Sequence, residues 1–156
     1  MSGLNPRLET LEPWVSAGLR EMVSMTELQE VFPAVFEQVA TKVAKAGGRV
    51  IGPAYARYFG MPDDTVDVEI GFGIDRPVEV PDLVVSEHPK VQAAVATHVG
   101  PHELLEKSYA ELMPWLAGQH LKLAESMLEF YDSPPETDPA QAVTRLVFPL
   151  ADRVPS

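Results

Sequence analysis

Apolar and polar positions follow two different periods along this chain. In "MTELQEVFPAVFEQVATKVAKAGG" the apolar residues recur at helical spacing, with Leu28, Val31, Val35, Phe36, Val39 and Val43 forming one stripe. Ser24 or Thr26 suits the cap, Pro33 predicts a break or a fresh first turn, and Gly47-Gly48 ends the run. A second helix is predicted over "PHELLEKSYAELMPWLAGQ", with Leu104, Leu105, Tyr109, Leu112 and Leu116 inward and Pro114 kinking or shortening it. Elsewhere the pattern is that of strands. One irregular strand covers Leu8 to Met22, interrupted around Pro13. "RVIGPAYARYF" and "TVDVEIGFGI" form a hairpin across "MPDD", and "DLVVSEHP" and "KVQAAVATHVG" follow the connector "DRPVEVP". "ESMLEFYDS" and "AVTRLVFPL" form the last hairpin across "PPETDPAQ".

The order strand, helix, strand, strand therefore occurs twice. "GPAYARYF" corresponds to "AESMLEFY", and "VDVEIGF" to "VTRLVFP". This predicts an α+β fold: one domain over residues 1–156, built as a tandem β-α-β-β repeat with pseudo-two-fold symmetry. The halves run over about 8–75 and 82–150, with 151–156 as a tail. Two antiparallel sheets and two main helices would surround a central cleft, an ordinary place for a small ligand. In the repeat alignment Glu69 lies opposite Arg145.

Composition narrows the function. The chain has 156 residues and no cysteine, which removes disulfides, thiolate metal sites and a cysteine nucleophile. Its formal charge of −11, with no Lys/Arg cluster, argues against direct nucleic-acid binding. No apolar run reaches the ~18–20 residues that span a bilayer, and "MSGLNPRLETLEP" lacks the character of a signal peptide. A cytoplasmic protein without membrane contact is expected. His98 and His102 have metal-like spacing, but Gly100 and Pro101 between them deny a shared helix face, so no metal or other cofactor is expected. Ser108 and Ser126 lie in no nucleophile elbow and beside no His-Asp arrangement visible in the sequence.

The segments "ARYFGMPDDTVDVEIGF", "ATHVGPHELLEKSYAELMPWLAG" and "LEFYDSPPETDPAQAVTRLVFPL" resemble the GyrI-like (gyrase-inhibitor-like) domain. The same domain is the effector-binding part of multidrug-sensing bacterial transcription regulators. The resemblance runs from roughly Leu8 to Leu150 and rests on four features in order: the "ARY" strand, the "DVEIGF" hairpin, the "HVGP" turn and "E-x-Y" before a strand ending in proline. It implies a duplicated SH2-like fold whose cleft holds hydrophobic, often cationic, molecules. With no room here for a helix-turn-helix, the chain resembles the free-standing form. Some free-standing relatives act as hydrolases of cyclopropanoid compounds, and the family name also implies a protein-inhibitor role, with a basic partner such as gyrase.

The chain departs from the family pattern at two places. The last strand carries Arg145 where the family has a cleft-facing glutamate, and His102 replaces the tyrosine of the "GPY" turn. Arg145 is expected either to pair internally with Glu129 or Glu69, or to receive an anionic ligand, or to meet solvent. The family carboxylate and its companion survive as Glu129 and Tyr131, which share a strand face and line the cleft or, alternatively, serve as Arg145's partner and as core. Trp115 is a stacking plate or a core residue. Of Tyr55 and Tyr58, Tyr58 matches the "ARY" tyrosine and is the expected cleft residue; Trp14 is expected to be packing. His102 caps a helix or stands at the cleft mouth. The leading expectation is a small-molecule binding or sensing protein using Tyr58, Glu69, His102, Trp115, Glu129, Tyr131 and Arg145. Should chemistry occur, Glu129 with Tyr131 would carry it as acid and base.

Overall fold

Among the described residues, two α-helices and eight strands build an α+β protein. The computed structural model describes residues 4–60, 64–101, 104–133 and 137–151. In order the elements are β1 (Arg7–Leu11), β2 (Trp14–Ser24), α1 (Leu28–Lys45), β3 (Val50–Phe59), β4 (Thr65–Ile74), β5 (Val84–His88), β6 (Val91–Val99), α2 (Leu105–Gly118), β7 (Ser126–Tyr131) and β8 (Val143–Pro149). All described strand pairs are antiparallel.

The chain divides into two compact units, Glu12–Lys90 and the remainder. Both repeat one plan. In the first, β2-α1-β3-β4 gives the strand order β3-β4-β2, and β5 is added beside β2. In the second, β6-α2-β7-β8 gives β7-β8-β6, and β1 is added beside β6. The single strand expected over Leu8 to Met22 is thus two strands, one in each unit. Proline, with its fixed φ and missing N–H, sits at Pro13 where they part.

In the Glu12–Lys90 unit, Val35, Val39 and Val43 of α1 are buried, and α1 packs on β4, β2 and β3. Phe36 meets Phe72 at 5.1 Å between ring centroids, which puts the even-numbered side of β4 against the helix. In the other unit, Leu112 and Leu116 of α2 pack with Leu146, Phe148, Ala94 and Ala96. Each fully buried leucine of this kind contributes roughly 2 kcal/mol by area removed from water.

Three local expectations are corrected. Neither Ser24 nor Thr26 caps α1; Glu27 holds that position, and the Ser24 hydroxyl accepts from the Thr26 amide at 3.3 Å. α1 continues through Pro33 without a break, and α2 is not ended by Pro114; both prolines lie on solvent-exposed faces where the orphaned carbonyl can turn to water. Leu104 is 45% exposed rather than inward, since it forms the cap of α2 and lies outside the helical stripe.

Candidate functional site

The pleat of β7 and β8 decides which side chains of that unit can meet. Leu146 and Phe148 point to α2, so register partners Glu129↔Leu146 and Tyr131↔Thr144 share the helix-facing side. There Glu129, 6% exposed, accepts hydrogen bonds on both oxygens: from Tyr131 at 2.7 Å and from Tyr109 of α2 at 2.5 Å. Phenol–carboxylate bonds of this length are charge-assisted and strong. Tyr109 also packs edge-on against Phe148, with centroids 6.5 Å apart. Trp115, half-buried, packs against the same apolar cluster.

Further across the sheet, Tyr131, Thr144 and His98 form one cross-strand row. Thr144 is fully buried, and its hydroxyl has no hydrogen-bond partner among the described residues. His98, 4% exposed, is held from both ring nitrogens: Nδ1 lies 2.7 Å from Ser108 Oγ of α2, and Nε2 lies 3.0 Å from the Pro101 carbonyl.

Arg145 occupies the opposite side of β8. Its guanidinium donates to Asp132 through Nε at 2.5 Å and Nη2 at 3.0 Å, and lies 4.8 Å over the Phe130 ring. The expected partners Glu129 and Glu69 are therefore corrected to Asp132. A two-residue period puts Arg145 and Glu129 on different sheet faces, whereas Asp132 leaves the end of β7 on Arg145's side.

In the Glu12–Lys90 unit a second polar group lies on the sheet face turned away from α1. Tyr55 donates its hydroxyl to Glu69, and both are almost fully buried. Next to them, Ser16 Oγ lies 2.8 Å from His88 Nε2, and the His88 ring stacks on Trp14 at 4.2 Å and 14°. Trp14 meets Tyr55 edge-on at 5.4 Å. Gly18 makes the arrangement possible: a Cβ there would lie 2.6 Å from the Tyr55 hydroxyl and 2.8 Å from Glu69 Cγ. Burial, opposed by the Tyr55 bond and by Arg57 and Arg20, raises the Glu69 pKa. Burial, with nearby Glu69 adding to it, also drives the Tyr55 phenol upward. Desolvation, helped by Arg57, pushes His88 down to about 4.

A family model described as the GyrI-like small molecule binding domain matches residues 4–151. The chain belongs to the GyrI-like family. Its fold is also that of the EcmrR C-terminal domain crystal structure (TM-score 0.81, 19% identity, 96% of this chain and 99% of that one). SAV2435 bound to tetraphenylphosphonium is similar at TM-score 0.65 and 11% identity, over 94% of each chain. A hydrolase encoded by lin2189 from Listeria innocua is similar at TM-score 0.64 and 14% identity, over 96% and 93%. No curated protein matches the sequence significantly.

Within this GyrI-like chain the anticipated site residues separate by unit and by face. Glu129, Tyr131 and Trp115 share the α2 side of one unit, joined by Tyr109, which helical spacing alone predicts only as an inward residue. Arg145 lies behind them. Tyr58 pairs with Val68, on the α1 side of the other unit, and Glu69 lies on that sheet's far face with Tyr55. By register Tyr58 corresponds to Tyr131 and Glu69 to Arg145, while Ala56 stands where the other unit has Glu129. His102 is outside the described residues. The sequence pattern does not reveal the cluster of Trp14, Ser16, Tyr55 and His88 around Glu69, or the pairing of His98 with Ser108. The one available signal is glycine at Gly18 and Gly71 inside otherwise good strands.

Proposed function

We propose that this chain binds an amphipathic small molecule, in a sensing or sequestering role, with Glu129 at the polar end of the site. The observation that carries this reading is a buried carboxylate held by phenols from two different elements, Tyr131 on β7 and Tyr109 on α2. Such a group suits a cationic or hydrogen-bond-donating head, and the tyrosine rings offer faces to it. Trp115 supplies further aromatic surface from α2. Arg145 is already engaged by Asp132, which favours the internal-pair reading over a receptor for anionic ligands. Family membership supports a small-molecule ligand.

The test is tryptophan fluorescence titrated with panels of organic cations and organic anions. Saturable quenching by cations, weakened about tenfold in Glu129→Gln, is the expected result. Absence of binding by every compound at millimolar concentration, or preference for anions, would overturn the reading.

A further inference from the structure

We propose that Ser108 and His98 form a nucleophile–base pair that takes an acyl group from small carboxylic esters bearing an apolar acyl chain. The tautomer follows from the hydrogen bonds. A backbone carbonyl only accepts, so His98 Nε2, 3.0 Å from the Pro101 oxygen, carries the ring proton. In the neutral imidazole Nδ1 is then the basic nitrogen, and at 2.7 Å it must receive its hydrogen from the Ser108 hydroxyl. That is the orientation a general base needs to activate a serine. Burial fixes the base, His98 being 4% exposed, while Ser108 is half-buried.

The surroundings favour the same step. Ser108 lies near the start of α2, and helical side chains lean toward the N-terminus, which carries its hydroxyl back over the first turn. The N-cap residue Leu104 makes no side-chain cap hydrogen bond, and a helix start carries positive potential that favours a developing oxyanion. Leu104, one turn before Ser108, is 45% exposed and offers an apolar rest for the acyl chain.

In the reaction Ser108 Oγ attacks the ester carbonyl carbon and its proton passes to His98 Nδ1. The tetrahedral intermediate collapses with cleavage of the acyl C–O bond, and the departing alkoxide takes that proton and leaves as the alcohol. Water, deprotonated by His98, then attacks the acyl-serine; the carboxylic acid leaves and Ser108 regains its hydrogen. A carbonyl orients the imidazole less strongly than a carboxylate, whose loss from a full triad costs about 10⁴ in rate. Covalent capture is therefore the sensitive readout.

The full chain would be treated with a fluorophosphonate reporter and with p-nitrophenyl butyrate, followed by intact mass and peptide mapping. One adduct per chain on Ser108, absent in Ser108→Ala, is expected. His98→Asn is expected to slow labelling about a hundredfold. Should that variant not fold, the wild-type labelling rate still reads the base, rising with pH through one ionisation. No adduct, an adduct elsewhere, equal labelling of Ser108→Ala, or a pH-independent rate would overturn the proposal. None of these outcomes bears on the fluorescence titration of Glu129, so the two readings fail separately.

Discussion

Tyr55 gives its hydroxyl hydrogen to Glu69 at a position where neither residue is more than 1% exposed. An ionised carboxylate there lacks hydration, and burial raises its pKa against the pull of Tyr55, Arg57 and Arg20. Glu69→Gln keeps an acceptor for Tyr55 and removes the charge. The variant is expected to equal or exceed the parent's stability at pH 7 by about 1 kcal/mol, whereas Tyr55→Phe loses about 1–2 kcal/mol. Urea unfolding of both variants measures this.

His88 gives the same cluster a pH dependence of opposite sign. Its folded pKa, about 4, lies below the ordinary histidine value, so protonation favours the unfolded chain and stability falls as pH drops from about 6.5 toward 4. Glu69, with a raised folded pKa, adds stability below its unfolded value and loses it as pH rises through the folded one. Thermal melts of Glu69→Gln should therefore fall steadily from pH 7 to pH 4. Adding His88→Phe, which retains a ring against Trp14, should flatten that slope.

Gly18 is the position where one methyl group has nowhere to go. An added Cβ meets both members of the Tyr55–Glu69 pair. Gly18→Ala is expected to cost about 1–3 kcal/mol by denaturant unfolding. In the Tyr55→Phe background the penalty shrinks, because the hydroxyl it strikes is gone.

A glutamate at position 145 would stand beside Asp132. Arg145→Glu alone is expected to destabilise by about 1 kcal/mol, a modest figure because both partners of the native pair are about 30% exposed. The exchange Arg145→Glu with Asp132→Arg recovers most of the loss. Equal effects of the single and double variants would contradict the bidentate pair.

Thr144 offers a gain. Thr144→Val removes a buried hydroxyl that has no partner among the described residues, and is expected to stabilise the chain by about 1 kcal/mol in thermal or urea melts.

How much of this is legible in the sequence depends on the range of the interaction. The span of β4 can be read to the residue, because "TVDVEIGFGI" lies between clear turn signals and its side chains alternate. The equivalence of Glu69 and Arg145 is also legible, both standing on the central strand of their half with side chains turned from the helix. The partner of Arg145 is not, because choosing Glu129 requires ignoring strand parity, and Asp132 reads as part of the loop. Motif alone favours Tyr58 over Tyr55, whereas burial goes to Tyr55 through its bond to Glu69. The His98–Ser108 contact depends on where α2 returns over β6, and no local pattern carries that.

The crossed lead-in strands have a consequence for synthesis on the ribosome. Residues up to Lys90 contain every strand that β2 pairs with, so that portion can close as soon as it emerges. Arg7–Leu11, made well before its partner, must idle until Val91–Val99 is translated, several seconds later at ~5–20 residues per second. Among the described strands it is thus the one left longest with bare edges. A fragment ending at Lys90 would carry it as an unpaired leader, while the complementary fragment would lack its border strand.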